Sequence, residues 1–286
     1  MPCVHPMPAY RTEDGAVKLK RLRAGPEYHD RPAVLRSQDD LLLPCGTCLG
    51  CRRSRAREWA FRCTLELDGH NDVSWCTLTY DDERLPPTLS LRHLQLFLKR
   101  LRKLYPPKHV RFFATGEYGE VTWRPHYHAI LYGVSVADEP AVKSCWGSGI
   151  VQVDALTPAS ISYVAGYVAK KIGIVDERED RIDYRTGEVY RYQPPFITMS
   201  KKPGIGSKAR RFIDSWRDTA IFDGNKMPVP RYLHEAWKAN STQEDIDALA
   251  AEKLQKMRVV SSYGLRAAHS ELRTRQSHSD SKRFKV

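Results

Sequence analysis

Apolar residues in this chain recur at two different periods, and the places where the period changes mark its elements. Val73-Ser-Trp-Cys-Thr-Leu-Thr-Tyr80 is rich in β-branched and aromatic residues and predicts a strand, ended by the acidic turn Asp81-Asp82-Glu83 before Pro86-Pro87. Leu91, Leu94, Leu98 and Leu101 then fall at helical spacing, with Lys99, Arg100, Arg102 and Lys103 on the outer face. Ser90 stands where an N-cap is needed, so a helix is predicted from there to about Tyr105. Two more strands, Val110–Thr115 and His126–Tyr132, are predicted on either side of a glycine-rich turn around Gly116 and Gly119. Upstream, a helix is expected over roughly Arg52–Leu67.

Further along, Thr157 and Pro158 have the chemistry of a helix start. Ile161, Val164, Ala165, Val168 and Ile172 make one apolar stripe on that helix, and Tyr163, Tyr167, Lys170 and Lys171 fall on the opposite side of the wheel. A charged insertion (Asp176–Tyr192), a short strand (Phe196–Met199) and a basic glycine loop (Ser200–Lys208) follow. Ser241 and Glu244 have capping-box spacing ahead of a helix near Glu244–Met257. Residues 1–40 show little periodicity and read as an irregular arm, and the polar, basic stretch after Ser261 reads as a mobile tail. There is no internal repeat. The implied division is an arm (1–43), a principal domain with the cysteine cluster at its start (44–235), and a helix with the tail (236–286).

Composition narrows the partner. The chain has 286 residues, 41% hydrophobic and 28% charged, enough to bury a core. A net charge of +12 and a pI near 9.4 favour a polyanion, nucleic acid above all, over a basic surface kept for solubility. No stretch approaches the roughly 20 apolar residues of a membrane helix, and Met1–Tyr10 lacks a secretory apolar region, so no membrane partner is expected. Of seven cysteines, Cys45, Cys48, Cys51 and Cys63 lie close in sequence. An odd total with such spacing in an unsecreted chain argues for reduced thiols and a metal rather than disulfides.

Three clusters carry chemistry. On a strand, residues two apart share a face, so His126 and His128 can hold one divalent cation together, with Glu117 the better placed of the nearby carboxylates Glu117 and Glu120. The plainer alternative is a pair of surface histidines. On a helix, residues four apart are neighbours, so Tyr163 and Tyr167 can present two hydroxyls side by side, off the face that hydrophobicity buries. A phenol with its free pKa near 10 is a poor nucleophile, and Lys171 one turn on could favour its ionised form. Four thiolates at Cys45, Cys48, Cys51 and Cys63 suit a structural zinc, although the Cys-x-x-Cys-x-x-Cys run also fits iron–sulfur ligation or unligated thiols. Arg52 and Arg53 after the cysteines, and Lys201, Lys202 and Lys208 in the glycine loop, are candidate phosphate contacts. The loop lacks the P-loop spacing, so nucleotide binding is rejected.

At these residues the chain resembles the HUH endonucleases, and within them the replication initiators of gokushovirus-type microviruses, small single-stranded DNA phages. The blocks that carry the resemblance are Pro44-Cys-Gly-Thr-Cys-Leu-Gly-Cys-Arg52, Thr77-Leu-Thr-Tyr-Asp-Asp82, Gly116-Glu-Tyr-Gly119, Arg124-Pro-His-Tyr-His-Ala-Ile-Leu-Tyr-Gly133, Tyr163-Val-Ala-Gly-Tyr-Val-Ala-Lys-Lys171 and Met199-Ser-Lys-Lys-Pro-Gly-Ile-Gly206. Gly166 departs from it, since relatives often carry a basic residue there. The resemblance implies an α+β fold: a central antiparallel sheet of about five strands, ferredoxin- or RRM-like, with its helices on one side and the histidines on a middle strand. It implies Mg²⁺ or Mn²⁺ on His126 and His128 and, less directly, Glu117. Tyr163 and Tyr167 become nucleophiles that nick single-stranded origin DNA, form a 5′-phosphotyrosyl link, leave a 3′-hydroxyl primer and later rejoin the unit circle, with Lys171 assisting. A host helicase and DNA polymerase in the bacterial cytoplasm would be the partners. Two rivals are a non-catalytic nucleic-acid-binding module, with the cysteines as a zinc finger, and a transposase or relaxase of the same chemistry.

Overall fold

The computed structural model describes residues 3, 6–14, 16–19, 40–105, 110–119, 121–171, 180–183, 185–215, 219–222 and 224–259. In chain order these form β1 (Met7–Arg11), β2 (Val17–Leu19), β3 (Asp40–Leu43), α1 (Leu49–Glu66), β4 (Val73–Thr79), α2 (Leu91–Leu104), β5 (Arg111–Tyr118), β6 (Pro125–Tyr132), α3 (Glu139–Trp146), β7 (Val151–Ala155), α4 (Pro158–Lys171), β8 (Asp180–Ile182), β9 (Val189–Arg191), β10 (Phe196–Met199), β11 (Thr219–Phe222), β12 (Asn225–Pro228), α5 (Arg231–Asn240) and α6 (Gln243–Val259). Residues 56–240 make one compact unit, and residues 1–55 with 241–286 make a second.

The larger unit is α+β, built on a five-stranded antiparallel sheet in the order β10-β5-β6-β4-β7, so β6 with its histidines is the middle strand. Every residue of β5 is buried, and every residue of β6 except His126, which is the signature of a sheet covered on both faces. On one face Leu78, Phe112, Ala114, Tyr127 and Leu131 meet Leu94, Phe97, Leu98 and Leu101 of α2 and Val142 and Trp146 of α3. On the other, Trp75, Phe113, Ile130 and Tyr132 meet Ala60 and Cys63 of α1 and Ile161, Val164 and Ala165 of α4. Helices thus cover both faces, not one side as the resemblance implied.

Local chemistry fixes the ends that matter. Ser90 caps α2 by accepting from the His93 amide at 3.3 Å, as predicted. Its backbone is in turn held by the Tyr127 hydroxyl, which donates to the Ser90 carbonyl (3.0 Å) and accepts from the Ser90 amide (3.0 Å). The residue between the two histidines is therefore a fully buried bolt from the middle strand to the start of α2. Thr157 caps α4 through Ser160 at 3.1 Å, also as predicted. For α6 the cap is Thr242, which accepts from the Asp245 amide at 3.2 Å, one residue beyond the expected Ser241–Glu244 box.

The glycine-rich turn is corrected. Gly116, Glu117 and Tyr118 continue β5, in register with Tyr127, His126 and Pro125. Gly116 is there for packing: a Cβ would lie 2.9 Å from the Phe196 ring and 3.2 Å from Leu89. The arm read as irregular contains β1, β2 and β3, which form a separate sheet in the order β2-β1-β3. The predicted tail after Ser261 lies outside the described residues.

Candidate functional site

Register decides which side chains meet on the middle strand. Glu117 of β5 stands opposite His126 of β6, and Thr77 of β4 stands opposite His128. Glu117 Oε1 lies 3.3 Å from His126 Nε2 and 3.0 Å from His128 Nε2, and the three donor atoms lie within 4.8 Å of one another. The two imidazoles are nearly perpendicular, with centroids 5.1 Å apart. Both are oriented by their other nitrogens. His126 Nδ1 is 3.1 Å from the Arg124 carbonyl, which can only accept, so Nδ1 carries a proton there and Nε2 faces Glu117. His128 Nδ1 is 3.0 Å from the Thr77 hydroxyl. Two Nε2 atoms this close to one carboxylate oxygen need an electron-poor centre between them, a proton or a cation, and this donor set of two imidazoles and a carboxylate suits a divalent metal.

Burial pushes Glu117 upward, but hydrogen bonds from His126 and His128 and their charge outweigh it and hold the carboxyl at about 2. The site is half open. Glu117 and His128 are buried, whereas His126 is partly exposed at the solvent side.

Tyr163 of α4 adjoins this triad. Its ring packs edge-on against His128 (centroids 5.9 Å, 80°) and lies 5.5 Å from Trp75, which itself contacts His128 at 5.2 Å. The helix presents it this way because Ile161, Val164 and Ala165 bury the neighbouring face, and Tyr163 stays 49% exposed. Tyr167 and Lys171 continue the same helix, but their side chains lie outside the described residues. Trp75 and Thr77 were not singled out by sequence reasoning. Their signal was available in the alternation of β4, which puts both on the histidine face once the register is known.

Among the other expected residues, Arg52 and Arg53 lie in the first turns of α1, Arg53 exposed. Lys201 and Lys202 are exposed in the glycine loop, and the Lys208 ammonium donates to the Gly69 carbonyl at 3.4 Å. The loop glycines serve the fold directly. The Gly206 amide donates to Glu66 (2.6 Å), the Gly204 carbonyl accepts from Arg111 (3.1 Å), and Glu66 and Arg111 form a buried ion pair. Gly206 also needs its positive φ of +76°.

The cysteine cluster is real, but its fourth member differs from the expectation. Cys3, Cys45, Cys48 and Cys51 gather their sulfurs within 4.8 Å of one another. Cys63 sits instead in the apolar layer between α1 and the sheet, fully buried, with its carbonyl accepting from Tyr132 at 2.9 Å. Burial pushes the Cys63 thiol up to about 12. For Cys45, burial is outweighed by the Cys48 amide and the Thr47 hydroxyl, which bring the thiol down to about 6.

Residues 73–172, from β4 to the end of α4, match the family model described as Replication-associated protein ORF2/G2P. Over 242 residues the chain is 29% identical to the replication-associated protein VP4 of Bdellovibrio phage phiMH2K, covering 74% of this chain and 72% of that protein. It is 30% identical over 191 residues to the replication-associated protein ORF2 of Spiroplasma virus 4 (58% of this chain, 56% of that protein). It is also 33% identical over 219 residues to the replication-associated protein ORF4 of Chlamydia phage 1 (68% and 53%). The match thus spans little more than half the length of the last two relatives. No solved structure matches the chain. The resemblance to replication proteins of small phages, first carried by short motifs, is borne out.

Proposed function

We propose that this protein initiates rolling-circle replication of a small single-stranded DNA phage by nicking origin DNA through a tyrosine nucleophile. The observation that carries this reading is the placement of Tyr163 against His128, beside the Glu117–His126–His128 triad. A non-catalytic binding module would have no use for that assembly.

A divalent ion, Mg²⁺ or Mn²⁺, would be held by His126 Nε2, His128 Nε2 and Glu117 Oε1, and would supply charge to polarise the scissile phosphate and stabilise the leaving oxygen. The protein's own residues do the rest. Arg124 and Thr77 keep both imidazoles turned so that Nε2 faces inward. The Tyr163 oxygen attacks phosphorus, a bond forms from phosphorus to the phenolic oxygen, and the bond to the 3′ oxygen breaks. The phenolic proton passes to solvent or to a basic group such as Lys171, and the 3′ oxygen leaves as a hydroxyl after taking up a proton. The phosphotyrosyl bond keeps the energy of the phosphodiester, so the reverse attack by a 3′-hydroxyl rejoins DNA without ATP. Tyr167, one turn along α4, supplies the second transesterification that closes the circle. Lys201, Lys202, Lys208, Arg52 and Arg53 contribute phosphate contacts, and the 3′-hydroxyl left by the nick primes a host polymerase behind a host helicase in the bacterial cytoplasm. No described helix is long and apolar enough to cross a membrane.

The test is incubation of the purified protein with single-stranded origin DNA of its phage and Mn²⁺, with and without EDTA. Metal-dependent scission by wild type, abolished in His126→Ala and His128→Ala, is expected. Scission unaffected by EDTA or by both substitutions would overturn the assignment of the triad.

A further inference from the structure

Cys3 was invisible as a ligand because 41 positions separate it from Cys45 in sequence. The small sheet closes that gap. β1 and β3 pair antiparallel with Met7 opposite Leu43, so the chain before Met7 and the chain after Leu43 leave the same end of the ladder. Cys3 and Cys45 therefore emerge side by side, and Cys48 and Cys51 follow at the start of α1.

The sulfur geometry discriminates between occupants. Cys45 Sγ is 4.0 Å from Cys51 Sγ and Cys48 Sγ is 3.9 Å from Cys3 Sγ, with all four within 4.8 Å. A tetrahedral zinc with bonds of about 2.3 Å places its sulfurs about 3.8 Å apart, close to this spacing. An iron–sulfur cluster distributes its thiolates over separate irons and needs a wider cage. A disulfide needs sulfurs at about 2.05 Å, and no disulfide joins these cysteines. The backbone also turns toward the sulfurs: the Cys45 amide donates to Cys3 Sγ (3.2 Å), the Cys48 amide to Cys45 Sγ (3.3 Å) and the Cys51 amide to Cys48 Sγ (3.5 Å). Such amides neutralise part of the charge that four thiolates bring together. Gly46, at φ +78°, makes the turn that aims them.

The need for a metal is equally physical. In the three-stranded sheet β2 is exposed throughout, and Ala9 is the buried residue of β1. The apolar cluster around Cys48 consists of Cys3, Cys45 and Cys51 themselves. A sheet with so little to bury among its described residues requires another source of stability, and a metal that binds only the folded arrangement supplies it. We infer that Cys3, Cys45, Cys48 and Cys51 form a mononuclear tetrathiolate zinc centre that pins the N-terminal strands to the start of α1, with Cys63 outside it. The centre is independent of the nicking reading, since none of its ligands belongs to the triad.

The test uses the full chain, purified under reducing conditions and analysed for zinc and iron, with the same measurement on Cys3→Ser and Cys63→Ser. Stoichiometric zinc in wild type and in Cys63→Ser, absent from Cys3→Ser, is the expected result. Iron with a visible charge-transfer band, no metal in protein given zinc, or loss of zinc in Cys63→Ser with retention in Cys3→Ser would overturn it. Should Cys3→Ser fail to fold, Co²⁺ exchanged into wild type decides the matter. The absorption of a tetrahedral tetrathiolate site supports the proposal, and that of an octahedral or oxygen-ligated site contradicts it.

Discussion

Single atoms set the chemistry of the triad, and two of them are open to direct test. The Thr77 hydroxyl at His128 Nδ1 is the kind of outer contact whose removal costs metal affinity about 10–100-fold. Thr77→Val should raise the Mn²⁺ concentration for half-maximal cleavage by such a factor while leaving the melting temperature nearly unchanged. An unaltered metal requirement would remove Thr77 from the account. Glu117 gives a pH signature. Its folded carboxyl is lowered from 4.5 to about 2, so the stabilisation it provides is complete above the unfolded value and fades as pH falls through the folded one. Measured in EDTA, the stability gap between wild type and Glu117→Gln should be open at pH 5 and close toward about pH 2. A gap that stays constant across that range would contradict the ion-paired geometry.

At the scale of elements, packing explains what the sequence showed and what it concealed. The strand composition of β4 and β6 and the apolar stripes of α2 and α4 were legible, because each belongs to its own segment and needs no knowledge of neighbours. The end of β5 was not. Gly116 reads as a turn residue, yet it continues the strand because the Phe196 ring and Leu89 fill the space where a side chain would project. Gly116→Val should therefore destabilise the protein by about 1–3 kcal/mol, as overpacking of a filled interior does, and denaturant unfolding measures it. A neutral effect would mean the strand can yield there. Helices on both faces were hidden for a related reason: continuous burial along β5 and β6 is visible only once both flanks are assembled. The spacing that sets His126 and His128 on one strand face and Tyr163 off the buried face of α4 was legible, whereas Glu117, read into the turn, reaches the histidines through the β5–β6 register. Cys3 was not legible, since a strand ladder rather than spacing delivers it. Cys63 was misassigned because proximity in sequence stood in for direction along α1.

At the scale of the whole molecule, charge and chemistry should be separable. A net charge of +12 predicts binding to single-stranded DNA that weakens steeply with salt. Replacing exposed Lys201 and Lys202 with alanine should flatten the log–log salt slope by about 0.7 for each phosphate that is no longer neutralised. A slope identical to wild type would place the DNA elsewhere. The triad and Tyr163 make the stronger claim, that binding leads to a covalent bond. The measurement that tests it most directly is peptide mapping of protein incubated with origin DNA and Mn²⁺, run beside a Tyr163→Phe, Tyr167→Phe double variant. The account predicts a 5′-phosphotyrosyl peptide spanning α4 in wild type and no adduct in the double variant, with DNA binding retained. An adduct on a residue outside α4, or one that persists in the double variant, would contradict it.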